Sequence, residues 1–265
     1  MKCFALHGRA RLGNLEQDLD FLEILGLDPE VFLGAEDLDS LDRSAVSRMI
    51  RWREAGRALS FHAPFVDLSP AGLDPRVLDV TRHRFRQVMD LAEAVRPSNI
   101  IFHPGYDQWR FAFREDLWIE NSLGLWTEVL DRSPRSSARI LLENVFDARP
   151  DHLCELRRRV GGELGFCLDT GHLNLFSEVP PREWVSAFGD GLAELHLHDN
   201  DGSRDRHLPV GEGGFDFAGL FAEIASEGSD LAAVLEHHSR EETGRSLVNL
   251  QHLLDEIFPD DRPRL

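Results

Sequence analysis

Nine side chains of the types that bind divalent metals stand at or just past the ends of short apolar runs in this sequence. They are histidines, aspartates and glutamates: His62, His103, Glu143, Asp169, His172, His196, Asp205, His207 and Glu236. Imidazoles and carboxylates that recur where strands stop are expected to share one mouth, as at the carboxyl end of a (β/α)8 barrel. The sequence therefore predicts a divalent-metal centre, and zinc or manganese would both suit these ligands.

The elements that must position these side chains alternate along the whole chain. The predicted strands are Cys3–His7, Val31–Gly34, Leu59–Ala63, Asn99–His103, Arg139–Val145, Leu164–Leu168, Leu192–His198 and Leu231–His237. The predicted helices are Asn14–Leu25, Asp42–Gly56, Asp74–Val95, Glu115–Asp131, Arg149–Val160, Pro181–Phe188, Phe217–Glu227 and Glu241–Ile257. This alternation predicts a single (β/α)8 TIM barrel over residues 1–258 and a tail at 259–265. No GxGxxG motif follows the first strand, which disfavours the alternative of an open doubly wound sheet.

Composition limits the classes of partner. The 47 acidic residues exceed the 29 lysines and arginines, giving a formal net charge of -18. That charge opposes binding driven by phosphate neutralisation, so nucleic acid is disfavoured as a partner without being excluded.

Three cysteines without a CxxC pair predict reduced thiols. No apolar run approaches the roughly 18 residues that cross a bilayer, so we expect a cytoplasmic protein without membrane contact. Self-association into a homo-oligomer stays open.

Two segments place ligand-type residues close together. In LGFCLDTGHLNLF, Asp169 ends an apolar strand and His172 follows three residues later, which suits either a metal site or a helix cap. In AELHLHD, strand alternation directs His196 and His198 to the same side. Asp205 and His207, two positions apart, add a further pair. Arg206 lies between them and is available to bind an anion.

Two histidines share one sequence context, and two glutamates share another. His62 in SFHAPF and His103 in IIFHPGY each follow an apolar strand and precede a proline that stops it. Glu143 in RILLENVF and Glu236 in AAVLEHHS each end a hydrophobic run, where an unpaired buried carboxylate would cost on the order of several kcal/mol. Metal coordination would satisfy such a carboxylate, and so would a salt bridge to arginine.

The motifs SFHAPF, IIFHPG, LLEN, CLDTGH, LHLHDNDGSRDRHLPVGEG and VLEHH occur in this order. Together they resemble the xylose isomerase-like TIM-barrel superfamily, which includes endonuclease IV-type apurinic endonucleases and sugar isomerases and epimerases of the tagatose 3-epimerase kind. The resemblance spans about Leu59 to His238. It is specific for the superfamily and poorly specific for the substrate.

The resemblance implies one of two ligand sets. In the endonuclease IV pattern, three zinc ions would be held by His62, His103 and Glu143, by Glu143, Asp169, His196 and Glu236, and by His172, Asp205 and His207. In the epimerase pattern, Glu143, Asp169, His196 and Glu236 would bind one ion, while His62, His172 and Arg206 would contact the substrate. His198 stands where the endonucleases usually carry asparagine.

These sets lead to three hypotheses. The first is a divalent-metal-dependent isomerase or epimerase of a small sugar or sugar phosphate, with Glu143 and Glu236 as catalytic acid and base. The second is an endonuclease IV-like apurinic/apyrimidinic endonuclease, which the acidic charge opposes. The third is a barrel that binds metal and ligand without turnover. The ligand set and the charge favour the first.

Overall fold

Eight parallel strands pair in sequence order, and the last pairs with the first to close a barrel. The computed structural model describes residues 4–227 and 231–258, without the side chains of residues 134–136, 226 and 227. The strands are β1 (Phe4–Arg11), β2 (Asp28–Phe32), β3 (Ser60–His62), β4 (Asn99–Phe102), β5 (Arg139–Glu143), β6 (Gly165–Asp169), β7 (Leu192–Leu197) and β8 (Leu231–Leu235). The (β/α)8 barrel expected from the alternation is confirmed.

Helices connect consecutive strands on the outside of the barrel. They are α1 (Leu15–Leu25), α2 (Ala35–Asp39), α3 (Arg43–Glu54), α4 (Pro75–Val95), α5 (Glu115–Ser136), α6 (Asp151–Arg159), α7 (Thr170–Phe176), α8 (Pro181–Phe188), α9 (Phe217–Glu227) and α10 (Arg240–Ile257). Their apolar faces pack on the outward side chains of the strands. Phe166 of β6, for example, stacks on Phe188 of α8 with ring centroids 3.9 Å apart. No described helix is long and apolar enough to cross a membrane.

The barrel interior is partly polar. Ser60 Oγ on β3 donates a hydrogen bond of 3.3 Å to Glu194 Oε2 on β7, and Asn99 Nδ2 on β4 donates to the same oxygen. A small apolar cluster shares the interior and consists of Ile101, Leu141, Cys167 and Ala193. Because buried polar groups need partners, these cross-barrel hydrogen bonds specify which strand faces point inward.

The element boundaries differ from the sequence prediction in places. The sequence predicts a first strand that ends at His7, whereas β1 continues to Arg11 because residues 8–11 pair with β2. Helices α2 and α7 are additional and have 5 and 7 residues, too few to show a helical period. Cys3 and the predicted tail at 259–265 lie outside the described residues.

Close packing inside the barrel predicts a large effect of one methyl group. A Cβ on Gly165 of β6 would lie 2.6 Å from Leu141 Cδ2 and 3.0 Å from the carbonyl oxygen of Gly191. We expect Gly165→Ala to lower the free energy of unfolding by about 1–3 kcal/mol.

Gly124→Ala is the matched control, because Gly124 lies within α5 and a Cβ there meets nothing within 4 Å. It should raise stability by about 0.5–1 kcal/mol. Denaturant unfolding of both variants checks this, and equal effects would contradict the packing.

Candidate metal centre

Six of the nine predicted ligands lie at the carboxyl ends of consecutive strands, from β3 to β8. Glu143 and Asp169 are the last residues of β5 and β6, and His62 is the last residue of β3. His196 is in β7, while His103 and Glu236 directly follow β4 and β8. Because all strands are parallel, these side chains meet at one rim, as the sequence predicts.

The centre of the cluster is the Nδ1 atom of His196. Three carboxylates surround it: Glu236 Oε2 at 3.2 Å, Glu143 Oε2 at 3.5 Å and Asp169 Oδ2 at 3.7 Å. His196 is fully buried, and its Nδ1 has no hydrogen-bond partner among the described residues. Carboxylates gathered around an unpartnered imidazole nitrogen are an arrangement that a divalent cation stabilises. The sequence left arginine pairing as the alternative. Within the described part of the chain, Glu236 is the only one of these three carboxylates with such a neighbour, since Arg9 Nη1 lies 3.6 Å from its Oε1.

Glu143 also connects this cluster to two further histidines. His62 Nε2 lies 3.2 Å and His103 Nε2 lies 3.3 Å from Glu143 Oε2. The two imidazole rings are 5.2 Å apart. His62, His103 and Glu143 therefore form a second group whose ligand atoms could hold an ion, with Glu143 shared between the two groups.

A third group lies beside Asp169 and uses the loop after β7. His207 Nε2 is 3.0 Å and His172 Nε2 is 3.6 Å from Asp205 Oδ2. His198 Nδ1 is 3.6 Å from the other oxygen of Asp205. A tetrahedral zinc ion with ligands at 2.0–2.1 Å requires ligand atoms about 3.3 Å apart, so these separations fit a metal site.

The electrostatics of the cluster agree with these contacts. Burial opposes ionisation of Glu143 and Glu236, yet the surrounding histidines hold the pKa of both carboxyl groups well below the usual range. Burial disfavours protonation of His207, but its hydrogen bond with Asp205 raises its pKa to about 9. The carboxylates are therefore ionised and depend on nearby positive charge, which protonated histidines or a cation would supply.

Asp169 serves two purposes. Its Oδ1 accepts a 2.7 Å hydrogen bond from the backbone N–H of His172 and so caps α7, while its Oδ2 faces His196. The sequence left a helix cap and a metal ligand as alternatives for this carboxylate. The geometry accommodates both, because each function uses a different oxygen.

His198 is a buried member of the cluster whose position depends on a glycine. Its Nε2 lies 2.8 Å from Asp169 Oδ2, and its ring stacks on His207 with centroids 3.9 Å apart. A Cβ on Gly171 would lie 2.0 Å from His198 Cε1. A side chain at residue 171 would therefore displace the His198 ring from its carboxylate partner.

Two glutamates inside the barrel escaped the sequence prediction. Glu30 on β2 is 1% exposed, and its Oε2 lies 3.2 Å from His196 Nε2, the ring nitrogen opposite the cluster. Glu194 is fully buried, and burial followed by the charge of Glu30 raises its pKa to about 8. A carboxylate behind a metal-binding histidine fixes the tautomer and the orientation of the ring. The alternation that aligned His196 with His198 would also have placed Glu194 on that face, whereas Glu30 lies before the predicted start of the second strand.

A cavity of about 440 Å3 opens beside the cluster. Seven of the predicted ligands line it: His62, His103, Glu143, His172, Asp205, His207 and Glu236. Much of its wall is apolar and includes Phe65, Leu68, Phe146 and Phe176. A cavity of this size that is mainly apolar with a few convergent polar groups is typical of a small-molecule site.

Arg206 is not among the residues that line this cavity. Its guanidinium is 43% exposed and lies 3.4 Å from Asp201. The assignment of His62 and His172 to substrate contact fits their place in the cavity lining, whereas that of Arg206 stays a prediction. Trp109 and Phe113 of the neighbouring loop are exposed, and Phe111 is buried.

A closed (β/α)8 barrel with a cluster of candidate metal ligands at the carboxyl ends of its strands is the class that the fold and this geometry define. The chain belongs to the xylose isomerase-like TIM barrel family, whose model matches residues 14–256. The predicted family resemblance is thereby confirmed. The protein MJ1311 of Methanocaldococcus jannaschii is 29% identical over 206 residues, which cover 73% of this chain and 69% of that protein.

Solved structures share the fold over nearly the whole chain. The TTHB071 protein from Thermus thermophilus, soaked with ZnCl2, has a TM-score of 0.80 and 29% identity, covering 96% of this chain and 99% of its own. A D-tagatose 3-epimerase-like protein has a TM-score of 0.81 and 22% identity, covering 96% and 98%. The IolI protein with a bound zinc atom has a TM-score of 0.75 and 15% identity, covering 95% and 99%.

The dual use of Asp169 permits a selective test of the metal centre. Asp169→Asn removes a carboxylate charge from the cluster but keeps an oxygen that can accept the His172 N–H bond. We expect zinc affinity to fall about 10- to 100-fold or more while the protein remains folded. Competition with a chelator measures the affinity, and thermal unfolding reports the fold.

The matched control is Asp79→Asn, which changes an aspartate whose side chain is 73% exposed. It should leave zinc affinity unchanged. If Asp169→Asn also binds zinc with unchanged affinity, Asp169 is not a ligand.

Proposed function

We propose that this protein is a divalent-metal-dependent isomerase or epimerase acting on a small sugar or sugar phosphate through an enediolate. The observation that carries the proposal is the placement of Glu143 and Glu236. The two carboxylates come from β5 and from the end of β8, yet both approach the same nitrogen of His196, at 3.5 and 3.2 Å. Both also line the cavity of about 440 Å3. Of two carboxylates facing one small cavity, one can act as a base while ionised and the other as an acid after it takes up a proton.

The residues that would hold the ion are Glu143, Asp169, His196 and Glu236. When bound, a divalent cation would polarise the substrate carbonyl and lower the energy of the enediolate. One glutamate would then remove the proton from the carbon beside the carbonyl. Return of that proton to the neighbouring carbon gives isomerisation. Epimerisation requires the other glutamate to take up a proton from solvent and deliver it to the opposite face of the carbon.

The shape of the cavity supports a small substrate. Phenylalanine side chains form part of its lining, and the histidines that line it, including His62 and His172, would bind polar groups of a ligand. An apolar wall suits the carbon face of a sugar, since aromatic rings pack on C–H groups while the hydroxyls face the polar side chains. Exclusion of water would strengthen the electrostatic contacts in the site.

An endonuclease IV-like apurinic/apyrimidinic endonuclease is the second candidate. It is favoured by two further groups of candidate ligands, His62–His103–Glu143 and His198–Asp205–His207, because His103 and the Asp205–His207 pair have no part in a one-ion epimerase. The formal net charge of -18 and the narrow apolar cavity oppose it.

Solvent exchange tests the proposed proton transfer. The metal-loaded protein is incubated in deuterated water with a panel of ketoses and ketose phosphates, and in parallel with an abasic-site duplex. We expect conversion of one sugar with deuterium incorporated at the carbon beside the carbonyl. Glu143→Gln and Glu236→Gln should each lower kcat by at least about 100-fold, because each removes a general acid or base.

Glu120→Gln is the control for these substitutions, since the Glu120 side chain is 60% exposed on α5 and pairs with Arg159. Its activity should equal that of the unchanged protein. Metal-dependent scission of the duplex without any sugar conversion would overturn the isomerase and establish the nuclease.

A further inference from the structure

A second, smaller cavity of about 200 Å3 lies beside Arg9, the ion-pair partner of Glu236. The residues around it come from the end of β1, the start of α1 and the connection from β8 into α10. Those that matter here are Arg9, Arg11, Asp18, His237, His238 and Arg240. Three arginines around one small cavity are unusual in a chain whose formal net charge is -18.

The positive charge of this cavity is only partly neutralised. Arg9 pairs with Glu236 at 3.6 Å, and Arg240 approaches Asp18 at 3.5 Å. Arg11 uses its backbone N–H to reach Asp18 Oδ2 at 3.1 Å, but its guanidinium makes no ion pair with any described carboxylate. Asp18 is the one carboxylate among the described residues that line this cavity, against three arginines, which leaves an excess of donors.

A buried polar atom in the wall also lacks a partner. His237 is 4% exposed, and its Nδ1 bonds to the backbone oxygen of His207 at 3.0 Å. Its Nε2 is buried without a hydrogen-bond partner among the described residues. This nitrogen has almost no accessible surface, so His237 borders the cavity without presenting its Nε2 to a ligand.

The start of α10 lies beside this cavity and affects the electrostatic potential in it. This 18-residue helix begins at Arg240, with Ser239 as its N-cap. The Glu242 carboxylate is turned toward the cap, because its Oε2 accepts a 2.8 Å hydrogen bond from Ser239 Oγ. The N-terminal end of the helix dipole favours an anion, but Glu241 and Glu242 in the first turn already supply negative charge there, so the arginines provide the attraction.

We propose that this cavity binds the phosphate group of a phosphomonoester. A doubly charged group with several acceptor oxygens matches a cavity lined by guanidinium groups. The cavity shares a wall with the metal centre, since Arg9 contacts Glu236 and His237 bonds to the backbone of His207. A single small molecule would place its phosphate here and its reacting carbons at the metal centre once it separates Arg9 from Glu236, the ion pair between the two cavities. This second statement rests on the proposed function, and it selects sugar phosphates over free sugars.

Binding of methyl phosphate to the full-length, metal-loaded protein tests the site by calorimetry. We expect saturable binding, weakened about tenfold or more by Arg11→Gln and by Arg240→Gln, since each removes a charge-assisted hydrogen bond. Arg114→Gln is the control, because this exposed arginine pairs with Asp116. Dimethyl phosphate, a singly charged diester, should bind more weakly than methyl phosphate.

A second control separates this cavity from the metal centre. Glu143→Gln should leave methyl phosphate binding intact, because Glu143 does not line the smaller cavity. The proposal is overturned if no saturable binding occurs, if binding survives both arginine substitutions, if Glu143→Gln abolishes it, or if the diester binds equally well. Arg11 is exposed, so Arg11→Gln is expected to fold normally, and thermal unfolding verifies this.

The outcomes for this cavity and for the proposed function are distinguishable. Methyl phosphate binding that depends on Arg11, without conversion of any sugar, would support the phosphate site and refute the isomerase. Conversion of free ketoses by a protein that does not bind methyl phosphate would do the reverse. If both hold, kcat/KM for a ketose phosphate should fall in Arg11→Gln, while kcat/KM for the free ketose should not.

Discussion

The structure depends on one electrostatic constraint: Glu143, Asp169 and Glu236 lie buried around a single imidazole nitrogen of His196. Like charges so close together repel strongly where water is excluded, and the cluster persists only with compensating positive charge. Histidines provide part of it, and a divalent cation would provide more. The donor types, the spacing and the orphaned nitrogen all agree with the second source.

Residues inside the barrel also contact this cluster, from the side opposite the rim. Glu30 accepts from the far nitrogen of His196, and Glu194 below it is tied to β3 and β4 through Ser60 and Asn99. Each cross-barrel hydrogen bond therefore both satisfies a buried polar group and restricts the orientation of a ligand. Around this polar interior, the packing of helices on the outer faces of the strands supplies the apolar burial that stabilises the fold. Function and stability thus use opposite faces of the same strands.

Much of this arrangement was predictable from the sequence, because alternating strands and helices impose the barrel and the barrel imposes a common rim. His62 and Glu143 could be assigned to that rim since each ends an apolar run. Glu30 could not be assigned to the barrel, because the second strand was predicted to begin at Val31, whereas β2 begins three residues earlier at Asp28. The double use of Asp169 was also beyond prediction, since the sequence does not reveal which carboxylate oxygen faces which partner. The small cavity at Arg11 depends on residues from both ends of the chain, which no local pattern relates.

Anomalous X-ray diffraction from metal-loaded crystals, collected on either side of the zinc and manganese absorption edges, tests the central claim most directly. The account predicts an anomalous peak within coordination distance, roughly 2.0–2.3 Å, of His196 Nδ1 and of carboxylate oxygens from Glu143, Asp169 and Glu236. Additional peaks beside His103 or His207 would extend the centre without contradicting it. Absence of any peak at His196 in crystals of saturated protein, with the three carboxylates still clustered, would contradict the account.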